Sequence, residues 1–161
     1  MAYKVFISHS TRDQGLVIAL AKTLLKYGAK VFVAEWSLTP GKPFDRKVFQ
    51  QIDNSHCVVV LLTRNGMRSN WVQHEIGYAL KAGFGKDRPL IPLVEKGVEL
   101  KDLGALRGRD HVKYDPDHPQ QALIRTATYV QSLKFKKEKQ EKALLTAGIL
   151  TFLLLLSGGK R

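Results

Sequence analysis

The sequence is poor in the residues that cross-link small proteins, because Cys57 is its single cysteine. One cysteine excludes an internal disulfide framework and a zinc site built from several thiolates. The chain also lacks a G-x-G-x-x-G sequence and a P-loop, so the dehydrogenase and nucleoside-triphosphatase classes are without their fingerprints. It contains no recognition-helix, zinc-finger or aromatic–basic RNA-binding pattern. We therefore predict no metal site and no nucleic-acid partner.

Acidic residues are also few: 14 Asp plus Glu stand against 26 Lys plus Arg in 161 residues, which gives a net charge of +12. A surplus of this kind favours anionic partners such as nucleotides, nucleic acid or anionic lipid, without choosing among them. Hydrophobic residues make up 44% of the chain, enough for a packed core. No cleavable signal peptide precedes the first strand-like segment, so we expect the folded part to stay in the cytoplasm.

Strand-like and helix-like segments alternate along most of the chain. Strands are predicted at 4–7, 31–33, 57–62, 90–94 and 112–114, and a helix over 70–83 with Asn70 as its N-cap. The alternation predicts a three-layer α/β sandwich around a parallel sheet. Ligands bind such sheets beyond the carboxyl ends of the strands, which directs attention to residues 8–13, 34–44 and 63–71.

The character of the chain changes at its end. Residues 134–142 predict a charged helical connector, and 143–159 a hydrophobic C-terminal helix, which leaves 1–133 as the folded domain. The uncharged stretch spans about 25 Å as a helix, slightly less than the roughly 30 Å hydrocarbon core of a bilayer. We expect a single C-terminal membrane anchor. The alternative is a hydrophobic helix buried in an oligomer interface.

Three short motifs stand at the ends of predicted strands or at the start of a predicted helix. They are Val5-Phe6-Ile7-Ser8-His9-Ser10, Glu35-Trp36-Ser37-Leu38-Thr39-Pro40-Gly41 and Ser69-Asn70-Trp71-Val72-Gln73-His74-Glu75. Together they resemble the Toll/interleukin-1 receptor (TIR) domain, especially its prokaryotic branch, over residues 3–135. The resemblance implies a flavodoxin-like fold with a five-stranded parallel sheet. It also implies that 37–44 is the BB loop, which TIR domains use in self-association.

The resemblance further implies an activity. Many prokaryotic TIR domains cleave the nicotinamide–ribose bond of NAD⁺ and release ADP-ribose or a cyclised isomer, and several act in antiphage defence. Their essential residue is the glutamate of a W-x-x-x-E pattern, which falls here on Trp71 and Glu75. One carboxylate near the ribose suits this chemistry, since it stabilises the oxocarbenium-like charge left when nicotinamide departs. NAD⁺ is then the substrate, and no separate cofactor is expected.

The remaining site candidates are substrate-binding residues from the loops and from the helix start. They are Phe6, Ser8, His9, Ser10, Arg12, Trp36, Lys42, Phe44 and Trp71. Five of the site candidates also have a simpler interpretation: Phe6 and Trp71 suit core packing, Arg12 and Lys42 suit surface charges, and Glu75 suits a solvated helix position. A triad within residues 8–13 is disfavoured, because triads assemble across a fold rather than from sequence neighbours. The chain departs from the family pattern at Ala34, where many relatives carry an acidic residue.

These observations lead to one principal hypothesis and two alternatives. The principal hypothesis is a TIR-domain NAD⁺ glycohydrolase or cyclase, anchored at a membrane and activated by self-association. The second is a non-catalytic TIR scaffold that assembles with other TIR domains at a membrane, in which Glu75 is incidental. The third is a membrane-disrupting effector that depends on residues 143–157 and is gated by the TIR domain.

Overall fold

A five-stranded sheet forms the centre of the computed structural model, which describes residues 2–34 and 44–157. Its strands are β1 (Tyr3–Ser8), β2 (Ala29–Val33), β3 (Cys57–Leu62), β4 (Leu90–Glu95) and β5 (Val112–Tyr114). Neighbouring strands are parallel, and their spatial order is β2-β1-β3-β4-β5. This is the order of the flavodoxin-like fold, so the predicted fold class and strand number are confirmed.

Helices cover both faces of the sheet. They are α1 (Gln14–Lys26), α2 (Phe44–Asp53), α3 (Arg64–Met67), α4 (Asn70–Lys81) and α5 (Pro119–Ser157), with 3₁₀ segments at Thr11–Asp13 and Leu100–Leu106. Buried residues of α1 and α5 pack on one face, and those of α2 and α4 pack on the other. The arrangement is the predicted three-layer sandwich.

The strand residues divide between two cores because successive side chains of a strand point to opposite faces. Val5 and Ile7 of β1 enter the core under α1 and α5, whereas Phe6 enters the core under α2 and α4. All six residues of β3 are buried, as expected for a central parallel strand covered on both faces.

The start of α4 differs from the prediction. Ser69, not Asn70, is the N-cap: its backbone is extended, and its hydroxyl accepts a hydrogen bond from the Val72 amide at 3.3 Å. Asn70 is the first helical residue. A short helix not expected from the sequence, α3, precedes α4, and Thr63 caps it by accepting from the Gly66 amide at 2.9 Å.

Helix α5 is continuous over 39 residues, through the whole charged connector and into the hydrophobic segment. Its first part packs against α1 and the sheet through Ala122, Leu123, Thr126, Ala127 and Val130. Its direction is opposite to that of the strands, and the Lys134 ammonium donates to the Gly28 carbonyl, just before β2 begins. The helix therefore leaves the domain at the amino edge, the end of the sheet where the strands start.

Candidate active site

The candidate site lies at the carboxyl edge, the end of the sheet where the strands finish. The connection after β1 leads through α1 to β2 on one side, and the connection after β3 leads through α4 to β4 on the other side. The strand order therefore reverses between β1 and β3, the point at which such sheets form a crevice. Ser8, the last residue of β1, pairs in register with Val60 of β3. The segments after these two strands therefore meet. Of the third predicted segment, 34–44, residues 35–43 lie outside the described residues.

Glu75 is buried at this end of the sheet, against Ser8 at the end of β1. It lies on α4 one turn after Trp71, and the indole Nε1–H donates to its Oε1 at 2.6 Å. The Ser8 hydroxyl donates to its other oxygen, Oε2. Both carboxyl oxygens of Glu75 thus accept a hydrogen bond. Glu75 is only 1% exposed, so these contacts form within the protein interior.

The loop after β1 supplies three further predicted residues. His9 and Ser10 are buried beside Ser8, and His9 Nδ1 lies 3.4 Å from the Ile7 carbonyl oxygen. The Ser10 hydroxyl accepts from the Arg12 amide at 3.3 Å and thereby caps the short 3₁₀ turn. The Arg12 side chain is exposed at the rim of the crevice. The structure thus brings together Ser8, Trp71 and Glu75 by direct contact, with His9, Ser10 and Arg12 adjacent.

A second set of contacts ties the two loops of the crevice to each other. The Asp13 carboxylate accepts from the Thr63 hydroxyl at 2.6 Å and from the Asn65 side-chain amide at 2.9 Å. Thr63 and Asn65 lie in the predicted segment 63–71, but neither was among the predicted site residues. A Thr-x-x-Gly sequence directly after a buried strand could have indicated that Thr63 caps a helix. Its contact with Asp13 could not be predicted in this way, because it depends on which strands are neighbours.

The other predicted residues have different positions. Phe6 is fully buried in the hydrophobic layer beneath the crevice, and Ala34 is buried in the same layer. Trp36 and Lys42 lie outside the described residues. Phe44 is the first residue of α2, and the described part of the structure does not extend to its side chain.

Acidic groups accumulate along the rest of the carboxyl edge. Glu95, at the end of β4, accepts from the Arg64 amide at 2.9 Å and pairs with its guanidinium. Burial raises the pKa of the Tyr114 phenol at the end of β5, and the charges of Glu95, Asp13 and Asp115 act in the same direction. Within 2–34 and 44–157, no three His, Cys, Asp or Glu side chains converge to hold a metal ion.

Comparison with known proteins places this architecture in a family. The family described as "TIR domain" matches residues 5–141. The probable 2′ cyclic ADP-D-ribose synthase TcpB of Brucella abortus (strain 2308) is 30% identical over 95 residues, covering 58% of this chain and 38% of that protein. The NAD(+) hydrolase PdTIR of Paracoccus denitrificans (strain Pd 1222) is 33% identical over 96 residues, covering 58% of this chain and 32% of that protein.

A solved structure shows the same fold at greater sequence distance. The TIR domain of the Toll-related receptor TRR-2 from Hydra magnipapillata superposes with a TM-score of 0.61 at 22% identity, covering 79% of this chain and 99% of that one. The chain spans about a third of the length of the curated relatives it matches. With the family match extending over most of its length and the TIR strand order in its sheet, this chain belongs to the TIR-domain family.

Proposed function

We propose that this chain is an NAD⁺ glycohydrolase or cyclase that cleaves the nicotinamide–ribose bond, with Glu75 as its catalytic carboxylate. The observation that carries the proposal is the W-x-x-x-E pair itself. Its indole and carboxylate are joined by a 2.6 Å hydrogen bond at the strand-order reversal, where sheets of this kind bind nucleotides. Relatives named as an NAD⁺ hydrolase and as a probable cyclic ADP-ribose synthase support the same reaction class.

The reaction needs little covalent chemistry from the protein. Nicotinamide leaves as a neutral pyridine, and the bond electrons depart with it, so positive charge develops on the ribose. A carboxylate held by two donors is preorganised to stabilise that charge at the moment it forms. In this proposal Trp71 offers an aromatic face to a ring of the substrate and orients Glu75. Ser8, His9 and Ser10 shape the pocket, and Arg12, Trp36, Lys42 and Phe44 complete it.

The burial of Glu75 bears on how such an enzyme would be controlled. At 1% exposure the carboxylate does not contact a bound nucleotide unless neighbouring groups move. Trp71 is the half-buried side chain directly bonded to it, so a change in the Trp71 rotamer would uncover Glu75. We propose that self-association, through the BB loop at 37–44, drives this change and makes NAD⁺ cleavage depend on assembly.

The C-terminal part of the chain completes the proposal. Helix α5 contains a stretch with a mean hydropathy of 1.3, long and apolar enough to cross a membrane by length and composition, and none of that stretch is buried. We propose that 1–133 is the TIR domain, that 134–142 is the connector and that 143–159 anchors the chain. The domain would then act at the cytoplasmic face of a membrane, in prokaryotic immune (antiphage) signalling or NAD⁺ depletion.

The experiment that tests the catalytic role is NAD⁺ turnover by the full chain, assembled in lipid or detergent, beside Glu75→Gln. Glutamine keeps the shape of the site: its carbonyl oxygen can accept from Trp71, and its amide can donate to the Ser8 hydroxyl oxygen. The substitution therefore removes the charge while leaving both contacts possible. We expect nicotinamide release by the wild type and its loss in Glu75→Gln. The nucleotide released with it separates hydrolase from cyclase.

A matched control is Glu99→Gln, the same change at an exposed position of the same edge, which should keep full turnover. One observation favours the scaffold alternative, namely that Glu75 is buried and bonded on both oxygens as a structural carboxylate would be. If the assembled wild type releases no nicotinamide and Glu75→Gln assembles equally well, the scaffold replaces the enzyme.

A further inference from the structure

Helix α5 still runs alongside the folded domain close to the start of the apolar segment. Gln140 lines a hollow at the amino edge that it shares with Tyr3 of β1 and His56, the residue before β3. Ala143, where the apolar stretch begins, is three residues further along the same unbroken helix. At 1.5 Å per residue this is an axial distance of about 5 Å. No flexible linker separates the domain from the apolar helix.

The apolar segment itself is uncovered on every side. Its large side chains are between 54% and 73% exposed: Leu144, Leu145, Ile149, Leu150, Phe152, Leu153, Leu154, Leu155 and Leu156. They occur around the whole circumference of the helix rather than along one stripe. A helix that packs on one partner buries one face, whereas a helix in hydrocarbon buries all of them. The distribution therefore favours lipid over a second copy of the chain.

The amino edge of the sheet carries a surplus of basic side chains. The connector alone holds five lysines and two glutamates between residues 134 and 142. The ends of the helices and loops at this edge add further cations: Lys26, Lys30, Lys86, Arg88 and Arg109. Asp53, Asp87 and Asp110 lie among them but are outnumbered. The acidic residues described above lie at the opposite edge, around the candidate site.

We infer that the amino edge of the sheet is a docking surface for anionic lipid headgroups, which holds the candidate site facing away from the membrane. The inference rests on the proposed anchoring by residues 143–159. Headgroups extend about 5–7 Å beyond each side of the hydrocarbon core, so a domain that ends about 5 Å from that core lies against them. The short apolar helix, about 25 Å against roughly 30 Å, brings the domain closer still.

The basic side chains of the amino edge favour anionic lipids and hold this edge against the membrane. Anionic headgroups attract lysines close to the surface, and each such lysine strengthens binding by about fivefold. The same basic surface disfavours contact between two copies of this edge. Strands β1 and β3, which flank the crevice, are six residues long, so the crevice at the carboxyl edge stands about 20 Å further from the membrane. NAD⁺ and neighbouring domains would reach it from the aqueous side.

The test places one fluorescent label on the full chain reconstituted into vesicles, and quenches it with a lipid whose headgroup carries the quencher. Lys26→Cys labels the amino edge, and Glu99→Cys labels the carboxyl edge. The native thiol does not interfere, because Cys57 is fully buried and burial raises its pKa. In phosphatidylcholine vesicles with phosphatidylserine, we expect severalfold stronger quenching at Lys26→Cys than at Glu99→Cys.

The role of charge is tested by a triple substitution, Lys30→Gln with Lys86→Gln and Lys136→Gln. It should reduce quenching of the amino-edge label in phosphatidylserine vesicles, and 1 M salt, which shortens the screening length to about 3 Å, should do the same. The matched control removes as many cations away from the amino edge, Lys96→Gln with Lys101→Gln and Arg125→Gln. This control should leave the quenching unchanged.

The possible failures are distinguishable. If the chain inserts but both labels are quenched equally, or the two triple variants behave alike, the orientation is refuted while the anchor stands. If the chain remains in solution as an oligomer and binds no vesicle, the anchor and the orientation both fail. Nicotinamide release by the same preparations is measured separately, so neither failure is confused with failure of the catalytic proposal.

Discussion

The contact between Trp71 and Glu75 makes a quantitative prediction about stability. Trp71→Phe keeps an aromatic ring but deletes the Nε1–H that donates to Oε1 at 2.6 Å. A hydrogen bond to a charged group contributes about 1.5–3 kcal/mol to stability. Because Glu75 is 1% exposed, water does not readily replace the lost donor, so we expect a loss within this range. The loss of stability on Trp71→Phe has two contributions, the lost hydrogen bond and the smaller ring, and these can be measured separately.

A double-mutant cycle performs that separation. Glu75→Leu replaces the carboxylate with an apolar side chain of similar volume, so Trp71→Phe in that background reports only the change of ring. The free energy of unfolding of the four proteins is measured by urea titration in one nonionic detergent, followed by far-ultraviolet circular dichroism. We expect a coupling energy of about 1.5–3 kcal/mol between the two positions. Additive effects of the two substitutions, within about 0.5 kcal/mol, would refute the idea that the indole holds the carboxylate.

Three further predictions concern other parts of the fold. Burial, and then nearby lysines and an arginine, lower the pKa of His56, so protonation favours the unfolded chain. Thermal stability should fall as the pH drops below about 6.5, the pKa of histidine in the unfolded chain, and should level off below the lowered pKa of His56 in the folded chain. The melting temperature of His56→Gln should not show this decrease across pH 5–8. A Cβ on Gly66 would lie 2.3 Å from the Leu61 carbonyl oxygen, so Gly66→Ala should lower the free energy of unfolding, measured by urea titration, by about 1–3 kcal/mol. Gly77 has open space around it, so Gly77→Ala should leave the free energy of unfolding unchanged or raise it. Asp13→Ala should lower the melting temperature and NAD⁺ turnover together, since it releases the two loops of the crevice; unchanged turnover would argue that the loops need no such link.

Most of the fold was predictable from local patterns. The apolar run of β3 and the helical period before Gly28 each produce an element at the expected place. The four residues of α3 were not predicted, because one turn is too short to establish a helical period and Gly66 lies inside it. The N-cap of α4 was assigned one residue too late because Ser69 and Asn70 are both good caps. Only the extended backbone of Ser69 distinguishes them.

The candidate site was predictable where its residues are close in sequence. Trp71 and Glu75 are four residues apart on one helix, so their contact follows from the helical repeat alone. The contact of Ser8 with Glu75 joins residues 67 positions apart and depends on how α4 lies over β1. The link from Asp13 to Thr63 likewise requires β1 and β3 to be neighbours. Periodicity reveals the elements but not their adjacency.

Because α5 is continuous, the orientation of the folded domain about the helix axis is coupled to that of the apolar segment. A single helix without an internal proline joins the folded domain to the apolar segment, so turning one about the helix axis turns the other by the same angle. If neighbouring apolar helices pack in one azimuth, the crevices of their domains also face fixed directions around the membrane normal. One alanine inserted in the connector would rotate the domain by about 100°, and seven would return it to within about 20°. If the helix anchors the chain as proposed, it would also transmit rotation, and its angular setting would determine which faces of neighbouring domains meet.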